Sequence, residues 1–238
     1  MEEPEKIVEI LDRFFETSKP LSGKKVLITA GPTYEKIDPV RFIGNYSSGK
    51  MGFALAEACA EAGAEVMLVA GPVSLKTNHS SIDRIDVESA EEMYRAVLSE
   101  YDRSDIAIMC AAVADYAPET VSDVKLKRTG EDRILRLRPN PDIAAELGRR
   151  KRPGQCLVGF ALETNDEEMN ARLKMEKKNL DFIVLNSLRD AGAGFQCDTN
   201  KVTVIGKQGE PMEIPCKPKI EVAADIVDII GRYVSEDR

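Results

Sequence analysis

The sequence predicts an α/β protein: a mainly parallel sheet with helices on both faces, an inserted β-hairpin arm and a C-terminal antiparallel hairpin. Three observations carry this. From Lys24 onward short apolar runs alternate with amphipathic stretches, the rhythm of repeated βαβ units. The runs are almost free of polar side chains, as strands covered on both faces require. Between Tyr116 and Arg138 the rhythm stops, and alternating apolar and basic residues replace it.

Residues 1–23 read as a linker-like lead-in helix, with Ile7, Ile10, Leu11, Phe14 and Phe15 on one side ahead of Pro20 and Gly23. Residues 24–238 read as a single domain. The first strand is expected at 26–30, ending at Gly31-Pro32. An irregular loop then leads to a small-residue helix at 53–62, stopped by Gly63. Strands are expected at 66–70 and 85–87, followed by a helix opened by the capping box Ser89-Ala90-Glu91-Glu92. A fourth strand is expected at 106–112. The arm, 116–138, reads as strands 124–128 and 133–138 joined by Thr129-Gly130-Glu131-Asp132. Helix 141–150, strand 156–161, helix 167–178 and strand 182–186 resume the alternation. A loop rich in Gly, Asp and Asn runs to Asn200. A hairpin of 202–205 with 212–214 and a helix from Lys219 close the chain.

The chain carries 41 acidic and 33 basic residues, a net charge of −8. That balance, with no dense basic block, argues against nucleic acid as a partner. No apolar run approaches the roughly 18 residues of a membrane span, and the start lacks a signal-peptide layout, so a cytoplasmic protein is expected. Cys59, Cys110, Cys156, Cys197 and Cys216 form no C-x-x-C pair and are expected as buried thiols in a reducing compartment. With His79 as its single histidine, the chain is a poor match for histidine-rich metal chemistry or a Ser/His/Asp triad.

Ligands of such sheets bind at the carboxyl ends of the strands. The loop 31–52 lies there, and its Ser47, Ser48, Gly49 and Lys50 suit an anion approaching the next helix start. A packing turn is the alternative. Gly44-x-x-x-x-Gly49-Lys50 has P-loop spacing, but Met51 stands where a magnesium-binding hydroxyl is needed. A dinucleotide site would want G-x-G-x-x-G at the first turn and an acid after the second strand, and both are missing. Tyr46-x-x-x-Lys50 straddles a glycine turn rather than sharing a helix face. An NADP-dependent oxidoreductase on a Rossmann-like sheet is therefore the weaker enzyme alternative. A non-catalytic nucleotide-binding domain is the other.

Asp115, after the fourth strand, suits a ribose hydroxyl or a magnesium-loaded phosphate. Lys125 and Lys127 share a face if the arm is a strand, where they suit a polyphosphate; an edge blunted by charge explains them equally well. Lys174 and Lys178 lie one helical turn apart, facing either an anion or solvent. Phe160, at another strand end, suits stacking on a base or a place in the core.

Six segments stand in the order found in one family: Ile28-Thr29-Ala30-Gly31-Pro32-Thr33, Asp38-Pro39-Val40-Arg41, Asn45-Tyr46-Ser47-Ser48-Gly49-Lys50-Met51-Gly52, Ala111-Ala112-Val113-Ala114-Asp115-Tyr116, Asn140-Pro141-Asp142-Ile143 and Gly159-Phe160-Ala161. From about Lys24 to its end the sequence resembles the phosphopantothenoylcysteine synthetases, in many microbes the C-terminal half of a bifunctional coenzyme A biosynthesis protein. The resemblance implies a phosphopantothenate–cysteine ligase. CTP would activate 4′-phosphopantothenate to an acyl-cytidylate plus pyrophosphate, and cysteine would then displace CMP. It implies that Asn45 holds the pantothenate moiety and supports the acyl-nucleotide, and that Lys125 contacts the triphosphate. It implies nucleotide contacts at Met109, Cys110, Ala111, Asp115, Pro141, Asp142, Ile143, Ala144, Phe160, Lys174 and Lys178, beside the anion-ready Ser47, Ser48 and Gly49. Magnesium with unspecified ligands, CTP in preference to ATP, and a homodimer formed partly through the arm are further implications. So is fusion to, or pairing with, a phosphopantothenoylcysteine decarboxylase, to which FMN would belong. Lys127-Arg128 departs from the family's more lysine-rich arm, which touches the geometry of one phosphate contact.

Overall fold

The computed structural model describes residues 19–163, 166–187 and 197–236. Most of the lead-in read at 1–23, and most of the loop before Asn200, lie outside them. Residues 19–23 form a turn that buries Leu21 completely, with Leu21 N donating to Ala62 O at 3.0 Å.

Twelve described strands follow in chain order: β1 (Lys25–Ala30), β2 (Tyr34–Lys36), β3 (Phe42–Gly44), β4 (Glu65–Ala70), β5 (Ile82–Asp86), β6 (Ile106–Met109), β7 (Tyr116–Pro118), β8 (Leu137–Pro139), β9 (Cys156–Glu163), β10 (Phe182–Ser187), β11 (Thr199–Gly206) and β12 (Met212–Pro218). The helices are α1 (Lys50–Glu61), α2 (Ala90–Tyr101), α3 (Ile143–Arg150), α4 (Glu167–Lys177) and α5 (Lys219–Glu236). Eight strands form one sheet in the order β12-β11-β10-β9-β6-β1-β4-β5. From β5 to β10 every pairing is parallel, and β11 and β12 add an antiparallel edge. The mainly parallel sheet is thus as expected.

Because side chains alternate along a strand, β1 feeds two cores. Val26 and Ile28 pack with Leu55 of α1 and Ile226 of α5 on one face. Leu27 packs on the other with Met93 of α2, Leu147 of α3 and Met175 of α4. A fully buried leucine or isoleucine contributes about 1.5–3 kcal/mol. The two helical layers therefore fix the sheet from both sides and leave its carboxyl edge for loops.

Several expected boundaries move, each for a local reason. α1 starts at Lys50, not at 53, because Gly49 takes a left-handed φ of 77° as its N-cap. β6 stops at Met109, not at 112, because the next two amides turn to a side chain: Cys110 N and Ala111 N donate to Thr29 Oγ1 at 3.1 and 3.2 Å. The loop after β1 is not irregular throughout. It contains the hairpin β2–β3, closed by stacking of Tyr34 on Phe42 with ring centroids 3.9 Å apart. The Ser89 capping box is present as read.

The arm needs the largest correction. Neither 124–128 nor 133–138 forms the expected strand; only the base is paired, β7 with β8. Glu119 N donates to Arg136 O at 2.9 Å, and the ladder goes no further. Alternating side chains gain nothing there, since Val124 and Ile134 are 71% and 89% exposed, and an isolated two-stranded ribbon is marginal. Lys125 and Lys127 therefore do not share a strand face. The cysteines also divide: Cys59 and Cys156 are buried and Cys110 is half-buried, but Cys197 and Cys216 are exposed. Cys216 lies on β12, the edge strand.

Candidate active site

At the carboxyl ends of β1, β6 and β9 the connections are held open by hydrogen bonds rather than by strand ladders. Thr33 Oγ1 accepts from Ala114 N at 2.9 Å. Asn140 Nδ2 donates to Ala114 O, and Asn140 N to Asp115 O, both at 2.8 Å. The segment 110–115 is thereby fixed between the end of β1 and the entry to α3. On the other side Gly52 lets α1 close on β1, since a Cβ there would lie 2.5 Å from that of Ala30.

These loops enclose a cavity of about 770 Å³, within the usual range for a small-molecule site. Asn45, Ser47, Ser48 and Gly49 line it from the loop before α1. Met109, Cys110, Ala111 and Asp115 line it after β6; Pro141, Asp142, Ile143 and Ala144 at the start of α3; Phe160 from β9; and Lys174 and Lys178 from the end of α4. Lys125 is not brought in: it stands exposed on the arm, outside the lining.

Asn45 is oriented by its amide nitrogen, which donates to Val113 O at 3.0 Å and Ala112 O at 3.3 Å. Its Oδ1 remains as the acceptor for a ligand. Asp142 caps α3 by accepting from Ala145 N at 3.0 Å and pairs with Lys178 at 2.9 Å. Burial disfavours the Asp142 carboxylate, but Ala145 N and Lys178 outweigh it and hold its pKa below the ordinary value. Burial pushes the Cys110 thiol up to about 12 even with Lys219 opposing, which favours its protonated form at neutral pH.

Sequence reasoning missed one corner of the cavity. Lys219 starts α5, is only 6% exposed, and donates from Nζ to Cys197 O at 2.5 Å. Burial lowers its pKa. Lys50 also lines this corner and pairs with Asp198 at 2.5 Å, while Asn200 Nδ2 donates to Asn186 Oδ1 at 3.1 Å. Asn186 lies at the carboxyl end of β10, which pairs parallel with β9, the one signal that could have marked this corner in advance.

Lys50, Lys174, Lys178 and Lys219 make the cavity cationic, and α1 opens onto it without a side-chain cap. Such an arrangement suits phosphate oxygens. Among the described residues no group of three or more His, Cys, Asp or Glu side chains is placed to hold a metal ion. None of the described helices is long and apolar enough to cross a membrane.

The family described as the DNA/pantothenate metabolism flavoprotein C-terminal domain matches residues 21–233. The chain belongs to that family. The coenzyme A biosynthesis bifunctional protein CoaBC of Bacillus subtilis (strain 168) is 51% identical over 233 residues, covering 97% of this chain and 57% of that one. A protein of an unknown prokaryotic organism, named cysteine/cysteine sulfinic acid decarboxylase, is 55% identical over 231 residues, covering 95% of this chain and 64% of that one. The chain thus spans less than two thirds of the length of these relatives. The crystal structure of the C-terminal domain of a CoaBC protein matches with a TM-score of 0.78 and 42% identity, over 92% of this chain and 100% of that one. Both the resemblance carried by the six segments and the Rossmann-like α/β fold of this domain family are borne out.

Proposed function

We propose that the chain is a phosphopantothenate–cysteine ligase of coenzyme A biosynthesis. The observation that carries this is a cationic cavity at the carboxyl edge of the sheet, lined by Asn45, Phe160 and the four lysines, in a chain of this family. A carboxylate oxygen of 4′-phosphopantothenate attacks the α-phosphorus of CTP, and pyrophosphate leaves. The amine of cysteine then attacks the acyl carbon, and CMP departs with the oxygen that linked them. Such chemistry needs positioned cations and donors more than a general base, which fits a cavity without histidine.

In this reading Lys174 and Lys178 meet the nucleotide, Phe160 stacks on its base, and Asn45 holds the pantothenate moiety, its Oδ1 accepting from an N–H or O–H of that group. Magnesium arrives as part of the triphosphate substrate, with Asp115 as the nearby carboxylate. FMN would belong to a decarboxylase fused to or acting beside this chain. The exposed Val124 and Ile134 of the arm support pairing with a second copy. The test is pyrophosphate release with magnesium and CTP or ATP, with and without 4′-phosphopantothenate. Release that requires phosphopantothenate and is faster with CTP is expected; no dependence on phosphopantothenate contradicts the proposal.

A further inference from the structure

The Asp38-Pro39-Val40-Arg41 segment takes no part in the cavity lining, yet it is where the arm is fastened. Among the described residues, the hydrogen bonds that arm residues 120–135 make to the body all run to 37–41. Ser122 N donates to Ile37 O at 3.0 Å, Leu126 N to Asp38 Oδ2 at 3.1 Å, and Arg41 Nη2 to Leu126 O at 2.7 Å. Both backbone groups of Leu126 are therefore held by the Asp38/Arg41 pair.

The Asp38 side chain is completely inaccessible. It also accepts from Val40 N at 2.8 Å, Arg41 N at 2.9 Å and the Arg41 guanidinium, at 2.9 Å from Nε and again from Nη2. A buried carboxylate with this many donors stays ionised and keeps one orientation. The Arg41 guanidinium, aided by the backbone donors and against the cost of burial, holds its pKa well below the usual carboxylate range.

We propose that Asp38 is the positioning residue of the arm: with Arg41 it grips Leu126 and so fixes the roots of the flanking Lys125 and Lys127. Without a ladder between 120 and 136, the arm would otherwise sample many conformations, and ordering it costs backbone entropy. A cation that must meet a triphosphate gains most from a fixed root. Lys125 lies outside the cavity lining, and the clamp sets where its side chain begins, whether it serves its own cavity or that of a second copy. The catalytic half of this proposal rests on the triphosphate role read for Lys125; the tether does not.

Three variants test it: Asp38→Asn, which keeps the shape; Leu126→Pro, which removes the donated N–H and leaves the Asp38/Arg41 pair intact; and Lys125→Gln. Hydrogen exchange resolved at Leu126 should quicken at least tenfold in Asp38→Asn, with β1 amides unchanged. Pyrophosphate release should fall about tenfold in each variant, and Asp38→Asn with Lys125→Gln should be no worse than either alone. Unchanged exchange at Leu126 overturns the tether. Additive losses, or a Leu126→Pro variant that is fully active, overturn the link between Asp38 and the lysine. Should Lys125→Gln release pyrophosphate at the parent rate, the role of Lys125 has failed, and exchange at Leu126 alone decides the tether.

Discussion

Asp181 and Asp38 are both buried carboxylates that receive cations, but they hold different kinds of structure. Asp181 lies at the start of β10, on the sheet edge opposite the cavity. It takes Lys151 at 2.8 Å, Lys207 at 2.9 Å and Leu157 N at 2.8 Å, joining strands that their own ladders already pair. Asp38 takes Arg41 and Leu126 N, joining an arm that has no ladder of its own. The same chemistry reinforces order in one place and creates it in the other. Loss of Asp181 should therefore be read in stability, and loss of Asp38 in activity.

The largest expected effect lies in the cavity itself. Asn45→Ala should retain the fold and CTP binding but slow amide formation at least 100-fold, the scale for losing one positioned hydrogen-bonding group; phosphopantothenoylcysteine made at the parent rate in a product assay would remove Asn45 from the mechanism. On the opposite edge, Asp181→Ala leaves two lysines without their buried partner and should cost about 3–5 kcal/mol in urea unfolding. If the same variant lost activity while its unfolding midpoint stayed put, the contrast with Asp38 would collapse.

A pH series sharpens the comparison. Because the folded pKa of Asp38 is depressed, its contribution to stability is complete above the unfolded value of about 3.9 and is lost only as the pH falls through the lower folded value. The stability difference between the parent and Asp38→Asn should be constant from pH 8 to 5 and shrink below about 4. A difference that disappears between pH 7 and 6 would assign it to another group.

The smallest effect belongs to Tyr101, next to the Asp181 cluster. Burial, with the Asp181 charge adding to it, pushes its hydroxyl up to about 12, and among the described residues the buried oxygen has no hydrogen-bond partner. Tyr101→Phe should be neutral or slightly stabilising in thermal melts, because an unsatisfied buried hydroxyl has nothing to lose. A loss of more than about 1 kcal/mol would mean that the hydroxyl is bonded after all.

What could be read in the sequence divides along the same line. The parallel strands announce themselves because burial on both faces forces near-continuous apolar runs, as in Val26-Leu27-Ile28 and Ile106-Ala107-Ile108. The cavity loops were legible because their motifs stand at strand ends, and nearly every residue expected in the site lines one cavity. The arm misled because alternation is a strand signal only where a neighbouring surface rewards it, and Val124 and Ile134 have none. The contact of Asp38 with Leu126 joins positions 88 residues apart, and no periodicity encodes such a distance. Lys219 and Asn200 were missed for a related reason: the antiparallel edge folds back to bring them to the cavity, and a helix start or strand residue does not reveal by itself which way it faces.

The most direct measurement labels the carboxylate. With both carboxylate oxygens of 4′-phosphopantothenate carrying oxygen-18, attack on the α-phosphorus followed by amide formation must leave one labelled oxygen in CMP. Mass spectrometry of the released CMP should show that single label, with unlabelled pyrophosphate beside it. Unlabelled CMP, or label in any other phosphate product, would contradict activation of the carboxylate as an acyl-cytidylate.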